Sequence, residues 1–180
     1  MKPMALAAMA AAALCATPAL AQRRDATSSL FVEGGGPGLL YSINYELLFD
    51  DDYGIRAGFG YQSLSATGAS GGSASVSVFT VPILANYLVG FGNSALELGG
   101  GATLIKTDGA ASGNGLAMST SGTVVLGTAI IGYRRQPADG GFQFRIGIEA
   151  LVGKGLALSN PDPNKLGVLP WGYLSIGFSL

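Results

Sequence analysis

Residues 39–61 read LLYSINYELLFDDDYGIRAGFGY. Every odd position up to Phe49 is large and apolar or aromatic: Leu39, Tyr41, Ile43, Tyr45, Leu47 and Phe49. The even positions between them include Ser42, Asn44 and Glu46. After Asp50-Asp51-Asp52 the same alternation returns, with Tyr53, Ile55, Ala57, Phe59 and Tyr61 on one face and Gly54, Arg56, Gly58 and Gly60 on the other. Side chains alternate across a β-strand with period two, so this stretch predicts two strands and a tight acidic turn. Centring the turn on Asp51 sets Glu46 opposite Arg56 and predicts an ion pair between them.

The pattern extends outward in both directions. Phe142, Phe144, Ile146, Ile148, Ala150 and Val152 share one face, and Gln143, Arg145, Gly147, Glu149 and Leu151 the other. Eight strands are expected, over about 28–35, 38–49, 53–64, 76–88, 95–106, 123–135, 141–152 and 170–180. The sixth has the weakest alternation, because Val124, Val125, Leu126, Ile130 and Ile131 fill both faces. Pro82 in the fourth predicts a bulge or a missing ladder bond. Short turns at 50–52, 89–94 and 136–140 alternate with longer polar connections at 65–75, 107–122 and 153–169. Gly34 to Pro37 is short on the long-loop side. Short turns at one end, long loops at the other and an even strand count are the layout of an outer-membrane barrel. The fold class expected is therefore all-β, an eight-stranded antiparallel up-and-down transmembrane β-barrel.

Alternation alone does not say which face is inside. A soluble barrel would bury the apolar face and wet the polar one. Here the apolar face is crowded with aromatics, among them Tyr45, Phe59, Tyr87, Phe142 and Phe178, while the other is mostly Gly, Ser and Thr. An eight-stranded barrel encloses just enough room for side chains. Small residues with a few long ones suit that interior, and aromatics suit a lipid-facing band. Only 12% of the 180 residues are charged, which would leave a water-facing exterior poorly soluble.

Residues 1–21 read as a targeting segment. Lys2 precedes an apolar run from Met4 to Ala16, and Ala19-Leu20-Ala21 has the form of a signal-peptidase site. The run is too short to span a bilayer as a helix, and Pro18 interrupts it. Acylation of Cys15 is the alternative, but Leu14 fits poorly before a lipidated cysteine. Cleavage after Ala21 leaves 22–180 as one domain, without the single Cys. No window in it is long and apolar enough for a spanning helix.

Export therefore leaves a chain with no disulfide and, with no His, no His-dependent catalysis or Cys/His zinc site. Basic and acidic residues number 10 and 11, which gives no footprint for nucleic acid. Asp50-Asp51-Asp52 lacks the spacing and Gly of a calcium loop. Gly34-Gly35-Gly36 and Gly99-Gly100-Gly101 lack the helix or Gly-Lys-Ser/Thr of a phosphate loop, and are better explained by close strand packing. No catalytic residue, cofactor or metal ligand is expected.

The last strand places Leu174, Ile176, Phe178 and Leu180 at every second position from the terminus. This resembles the C-terminal signature read by the outer-membrane barrel-assembly machinery, with Leu180 in place of the usual aromatic. Together with VPILANYL at 81–88, IGYRRQP at 131–137 and DGGFQFRIG at 139–147, it resembles the small outer-membrane β-barrel domain family, similar in architecture to the membrane domains of OmpA and OmpX. The resemblance covers about 28–180. It implies a monomer in the lipid of a Gram-negative-type outer membrane, and it transfers no catalytic or ligand motif.

In such a barrel the polar phase faces the lumen, where Glu33, Glu46, Arg56, Asn86, Glu97, Arg145, Glu149 and Tyr173 form the expected polar network. Glu97 is expected near Asn86, and Arg134 points inward if Tyr133 faces lipid. Four Glu exceed the Arg by two, or by one with Arg134, so one or two carboxylates must be neutralised by a proton or a cation. The functional expectation is a non-catalytic outer-membrane protein with a structural or surface-contact role through its outer loops. The alternatives are a narrow or gated channel, a membrane enzyme with an unusual base in place of His, and a soluble periplasmic ligand-binding barrel.

Overall fold

The computed structural model describes residues 25–49, 51–68, 72–113, 116–154, 156 and 164–180. The proposed leader and Asp50 lie outside them. Eight strands follow in chain order: β1 (Ser28–Gly35), β2 (Tyr41–Phe49), β3 (Tyr53–Thr67), β4 (Ser73–Phe91), β5 (Ser94–Gly113), β6 (Leu116–Arg135), β7 (Gly141–Lys154) and β8 (Leu166–Ser179). Each pairs antiparallel with its neighbour, and β1 pairs with β8 to close the ring. Closure leaves no sheet edge around the barrel wall.

Inward and outward residues alternate as the sequence predicts. Glu33, Glu46, Arg56, Asn86, Glu97, Arg145, Glu149 and Tyr173 are all buried inside. Arg134 is buried while Tyr133 beside it faces out. In β6 the ambiguity resolves the same way, with Leu126 and Ile130 inside and Val125 and Ile131 outside. The outer wall is an apolar belt between two aromatic girdles. Near the short turns, Tyr53 packs on Tyr87 at 4.9 Å and Phe142 on Phe178 at 6.2 Å between ring centres. At the other rim, Phe59 packs on Phe79 at 5.1 Å. Such a belt suits hydrocarbon and would be unfavourable in water.

Pro82 leaves the register intact and interrupts the ladder. On the β3–β4 side, pairing stops at Ala57–Ile83 and resumes at Gly60–Thr80 without a slip, while Pro82 still faces Thr103 on β5. The consequence is missing ladder pairs without a bulge, because proline has no N–H to donate.

The long polar connections are shorter than the sequence suggests. β3, β4, β5 and β6 run on through most of 65–75 and 107–122 as paired strands. β5 and β6 have 20 residues each. A strand needs about 9–11 residues to cross a bilayer, so roughly half of each stands beyond the belt. The β6–β7 ladder ends at Gly127–Val152 and the β2–β3 ladder at Ile43–Phe59. β3 to β6 thus continue above the barrel as a four-stranded sheet.

The β1–β2 connection does the opposite. Gly36–Gly38 form a 3-10 turn whose residues are buried. Gln62 Nε2 and Thr80 Oγ1 donate to the Gly38 carbonyl at 3.1 and 3.2 Å, and Trp171 Nε1 donates to the Leu39 carbonyl at 3.2 Å. These bonds fold the turn into the barrel mouth. Gly36 is required there: its φ is +69°, and a Cβ would lie 2.7 Å from Glu33 Oε1.

Candidate functional site: the barrel lumen

The lumen is filled in layers. At the short-turn end, Leu48, Leu88 and Ala95 form an apolar floor. Above it lies an ionic layer contributed by seven strands. Arg56 Nη1 on β3 donates to Glu33 Oε2 on β1 at 3.0 Å. Arg145 on β7 reaches across the barrel to Glu46 on β2, and its Nη1 donates to Glu97 Oε1 on β5 at 3.1 Å. Arg134 on β6 lies 2.5 Å from Glu46 Oε2 and 3.7 Å from Glu97 Oε1. Asn86 Nδ2 on β4 donates to Glu46 Oε1 at 2.7 Å, and Ser29 Oγ to Glu46 Oε2 at 3.3 Å.

This corrects one sequence expectation. Glu46 does stand directly opposite Arg56 in the ladder, but Arg56 pairs with Glu33 and Glu46 with the two arginines of the far wall. Asn86 serves Glu46, and Glu97 is held by Arg134 and Arg145. Register fixes neighbours along the wall. In a barrel this narrow, an arginine is long enough to choose a partner across the lumen.

Sequence reasoning did not single out Phe31. It is a large aromatic in the polar phase, where Tyr173 was the aromatic expected. Its ring lies 4.0 Å from the Arg145 guanidinium carbon and 5.9 Å from that of Arg56. A guanidinium over an aromatic face is attracted to it, so Phe31 supports the cations that hold Glu46, Glu97 and Glu33. Gln143 was placed in the polar phase but not given a role. Its amide oxygen turns to Arg145, and its nitrogen donates to Ser179 Oγ at 3.0 Å and Ser29 Oγ at 3.1 Å.

Above the ionic layer, Leu84, Ile130 and Tyr173 form a second apolar layer. Room for the Tyr173 side chain comes from Gly132 and Gly147, where a Cβ would lie 2.2 Å from the tyrosine hydroxyl oxygen and 2.7 Å from a ring carbon. Glu149 on β7, the ladder partner of Ile130, points inward at this level, and Thr128 on β6 and Thr103 on β5 point inward above it. A third apolar layer of Ile105, Leu126 and Leu151, packed by Leu39, Val78, Leu156 and Leu169, closes the mouth.

Of the eight residues expected in the lumen network, Glu33, Glu46, Arg56, Asn86, Glu97 and Arg145 meet in one layer. Tyr173 and Glu149 are buried in the same lumen but stand outside that network. With Arg134, three arginines face the three carboxylates of the ionic layer. Burying charge is unfavourable unless it is paired, and each carboxylate of this layer has at least one guanidinium beside it. Its chemistry is that of a clamp joining opposite walls.

No protein-family model and no curated protein matches this chain. Solved structures do. A structure of Ail, the attachment invasion locus protein of Yersinia pestis, in complex with the heparin analogue sucrose octasulfate, aligns with a TM-score of 0.54 at 14% identity, covering 84% of this chain and 96% of that one. A second structure of Ail aligns with a TM-score of 0.51 at 16% identity, covering 88% of this chain and 98% of that one. At this identity the likeness is one of fold.

Proposed function

We propose that this chain is a non-catalytic integral outer-membrane protein of a Gram-negative-type cell, and that its role is surface contact through the sheet that β3 to β6 raise above the barrel. The observation that carries this reading is the pairing of a closed lumen with an extended outer wall. Three apolar layers and a paired ionic layer leave the interior to stability. Roughly half of β5 and β6 then lies beyond the length a bilayer needs. The raised sheet has a hydroxyl-rich outer face that includes Ser63, Ser75, Ser119 and Ser121, and its β3 and β6 margins continue past their barrel partners. A strand margin of that kind can add an extended segment of another polypeptide.

Several further assignments belong to the same proposal. Residues 1–21 direct export and are removed. Leu174, Ile176, Phe178 and Leu180 present the last strand to the assembly machinery. The protein works as a monomer. A sulfated glycan partner, as in the Ail complex, is not favoured. Among the described residues of the raised region the cations are Lys106, Lys154 and Lys165, and Lys106 is paired with Asp108 at 3.4 Å.

The test is surface labelling of Ser119→Cys in intact cells with a membrane-impermeant maleimide, together with conductance of the purified protein in planar bilayers. Labelling without lysis and a silent bilayer are expected. Labelling only after lysis would overturn the orientation, and stable openings would favour a channel.

A further inference from the structure

Among the described residues the lumen buries Glu33, Glu46, Glu97 and Glu149 against Arg56, Arg134 and Arg145. All three arginines are engaged with Glu33, Glu46 and Glu97. Glu149 is the carboxylate left over. It is only 3% exposed, and neither of its oxygens has a hydrogen-bond partner among the described residues. It takes part in none of their ion pairs.

The walls around it are apolar. Across the ladders Glu149 faces Ile130 on β6 and Trp171 on β8. Ile130 packs with Leu84 and Tyr173. Leu151, the next inward residue of β7, packs with Ile105 and Leu126. The carboxyl thus leaves the wall at the level of one apolar layer and beneath another. On β8, Tyr173 is the next inward residue below Trp171. The charges that act on Glu149 are Glu33 on β1 and Arg56 on β3, and these two are bound to each other. Those of β2, β5 and β6, namely Glu46, Glu97 and Arg134, are tied together in the ionic layer.

We infer that Glu149 keeps its proton in the folded barrel at neutral pH, so that folding takes up one proton and the closed lumen is a pH-sensitive device. A carboxylate buried among apolar side chains without a cation is strongly disfavoured, and such a group is neutralised instead. Nearby Glu33 opposes a second negative charge, and Arg56 is already turned to Glu33. A proton needs no other side chain to be brought to Glu149. It also leaves three carboxylates against three guanidiniums, so the formal charge of the lumen is zero. In the unfolded chain the same carboxyl lies in water and ionises at about pH 4.3. Above that pH, until the folded Glu149 itself ionises, the folded state holds one proton more than the unfolded state. This contribution to stability is therefore full in acid and is lost as the pH rises. The inference is independent of whatever the raised sheet contacts.

The test compares wild type with Glu149→Gln, which keeps the shape without the titratable proton. Urea unfolding of the full folded chain in vesicles of one neutral lipid is measured between about pH 5 and 8 at fixed ionic strength. The unfolding constant of wild type, divided by that of the variant, should rise about tenfold per pH unit up to neutral pH, the slope of one proton. Other titrating groups are common to both proteins and cancel in the ratio. Infrared spectra of folded wild type at neutral pH should show a protonated-carboxyl band that is absent in Glu149→Gln and shifted in Glu149→Asp. A ratio that is flat or falls below neutral pH would overturn the inference. So would a wild-type spectrum without the band, or a band unchanged in Glu149→Gln. If Glu149→Gln does not fold, the wild-type band and its shift in Glu149→Asp decide, and an absent or unshifted band overturns it.

Discussion

Glu46 stands directly across the β2–β3 ladder from Arg56, yet it is the guanidinium groups of Arg145 and Arg134, from the far side of the barrel, that hold its carboxylate. Arg56 turns instead to Glu33 on β1. The ionic layer is thereby a tie between opposite walls, whereas adjacent strands are already tied by their ladders. Phe31 lies beside the Arg145 and Arg56 guanidiniums and limits where they can go.

A double-mutant cycle distinguishes this arrangement from the ladder pair. Arg56→Met should destabilise the barrel by about 3–5 kcal/mol, because it leaves Glu33 buried without its cation. The coupling energy between positions 33 and 56 should reach about 1–3 kcal/mol, and that between 46 and 56 should stay within about 0.5 kcal/mol. Urea unfolding of the protein in lipid vesicles provides the measurement. A larger coupling for 46 and 56 would contradict the pairing.

Glycine positions in β5 and β6 should respond oppositely to alanine. A Cβ on Gly101 would lie 2.1 Å from the Ile83 carbonyl oxygen, a backbone atom that cannot swing aside. Gly101→Ala should therefore destabilise by about 1–3 kcal/mol. Gly122, in the raised part of β6, has nothing within 4 Å of its Cβ position. Gly122→Ala should stay within about 0.5 kcal/mol of wild type. Equal effects of the two substitutions would mean that the β4–β5 approach is looser than described.

The apolar lid over the lumen sets a third expectation. Leu151 is 1% exposed and packs with Ile105 and Leu126. Leu151→Ala should remove about 2–5 kcal/mol of stability, the usual range for a buried leucine truncated to alanine. It should not open a conducting path, since the layers around Leu84 and Leu48 still block the lumen. A conducting Leu151→Ala protein would show that this layer alone seals the barrel.

The alternation of Tyr41 to Phe49 and of Tyr53 to Tyr61 made the barrel legible, because lipid on one side and lumen on the other impose opposite demands on successive residues. That asymmetry fades above the belt. Ser73 to Ser77, Gly109 to Gly113 and Leu116 to Ser121 stay paired as strands, but water surrounds much of both faces, so apolar periodicity no longer marks them. They read as loops for that reason. Parity alone placed Glu33, Glu46, Arg56, Asn86, Glu97, Arg145, Glu149 and Tyr173 inside. Partners could not be read the same way, since contacts across the lumen depend on side-chain reach and on an unforeseen aromatic, Phe31.

The boundary between belt and raised sheet yields the last prediction. Ile148 in β7 is 64% exposed on the outer wall and pairs with Ile131, well inside the belt. Placed in hydrocarbon, an arginine there should cost about 2–4 kcal/mol, the range for a cation near the midplane of a membrane barrel. Ser119 is also on the outer face, but it lies in the part of β6 that runs beyond the belt, opposite Ala110. Water reaches it, so Ser119→Arg should change stability by less than about 0.5 kcal/mol. Both variants are compared with wild type by urea unfolding in vesicles of the same lipid. A tolerated Ile148→Arg would place that face in water and return the barrel to a soluble reading. A Ser119→Arg as damaging as Ile148→Arg would bring the raised strands down into the membrane.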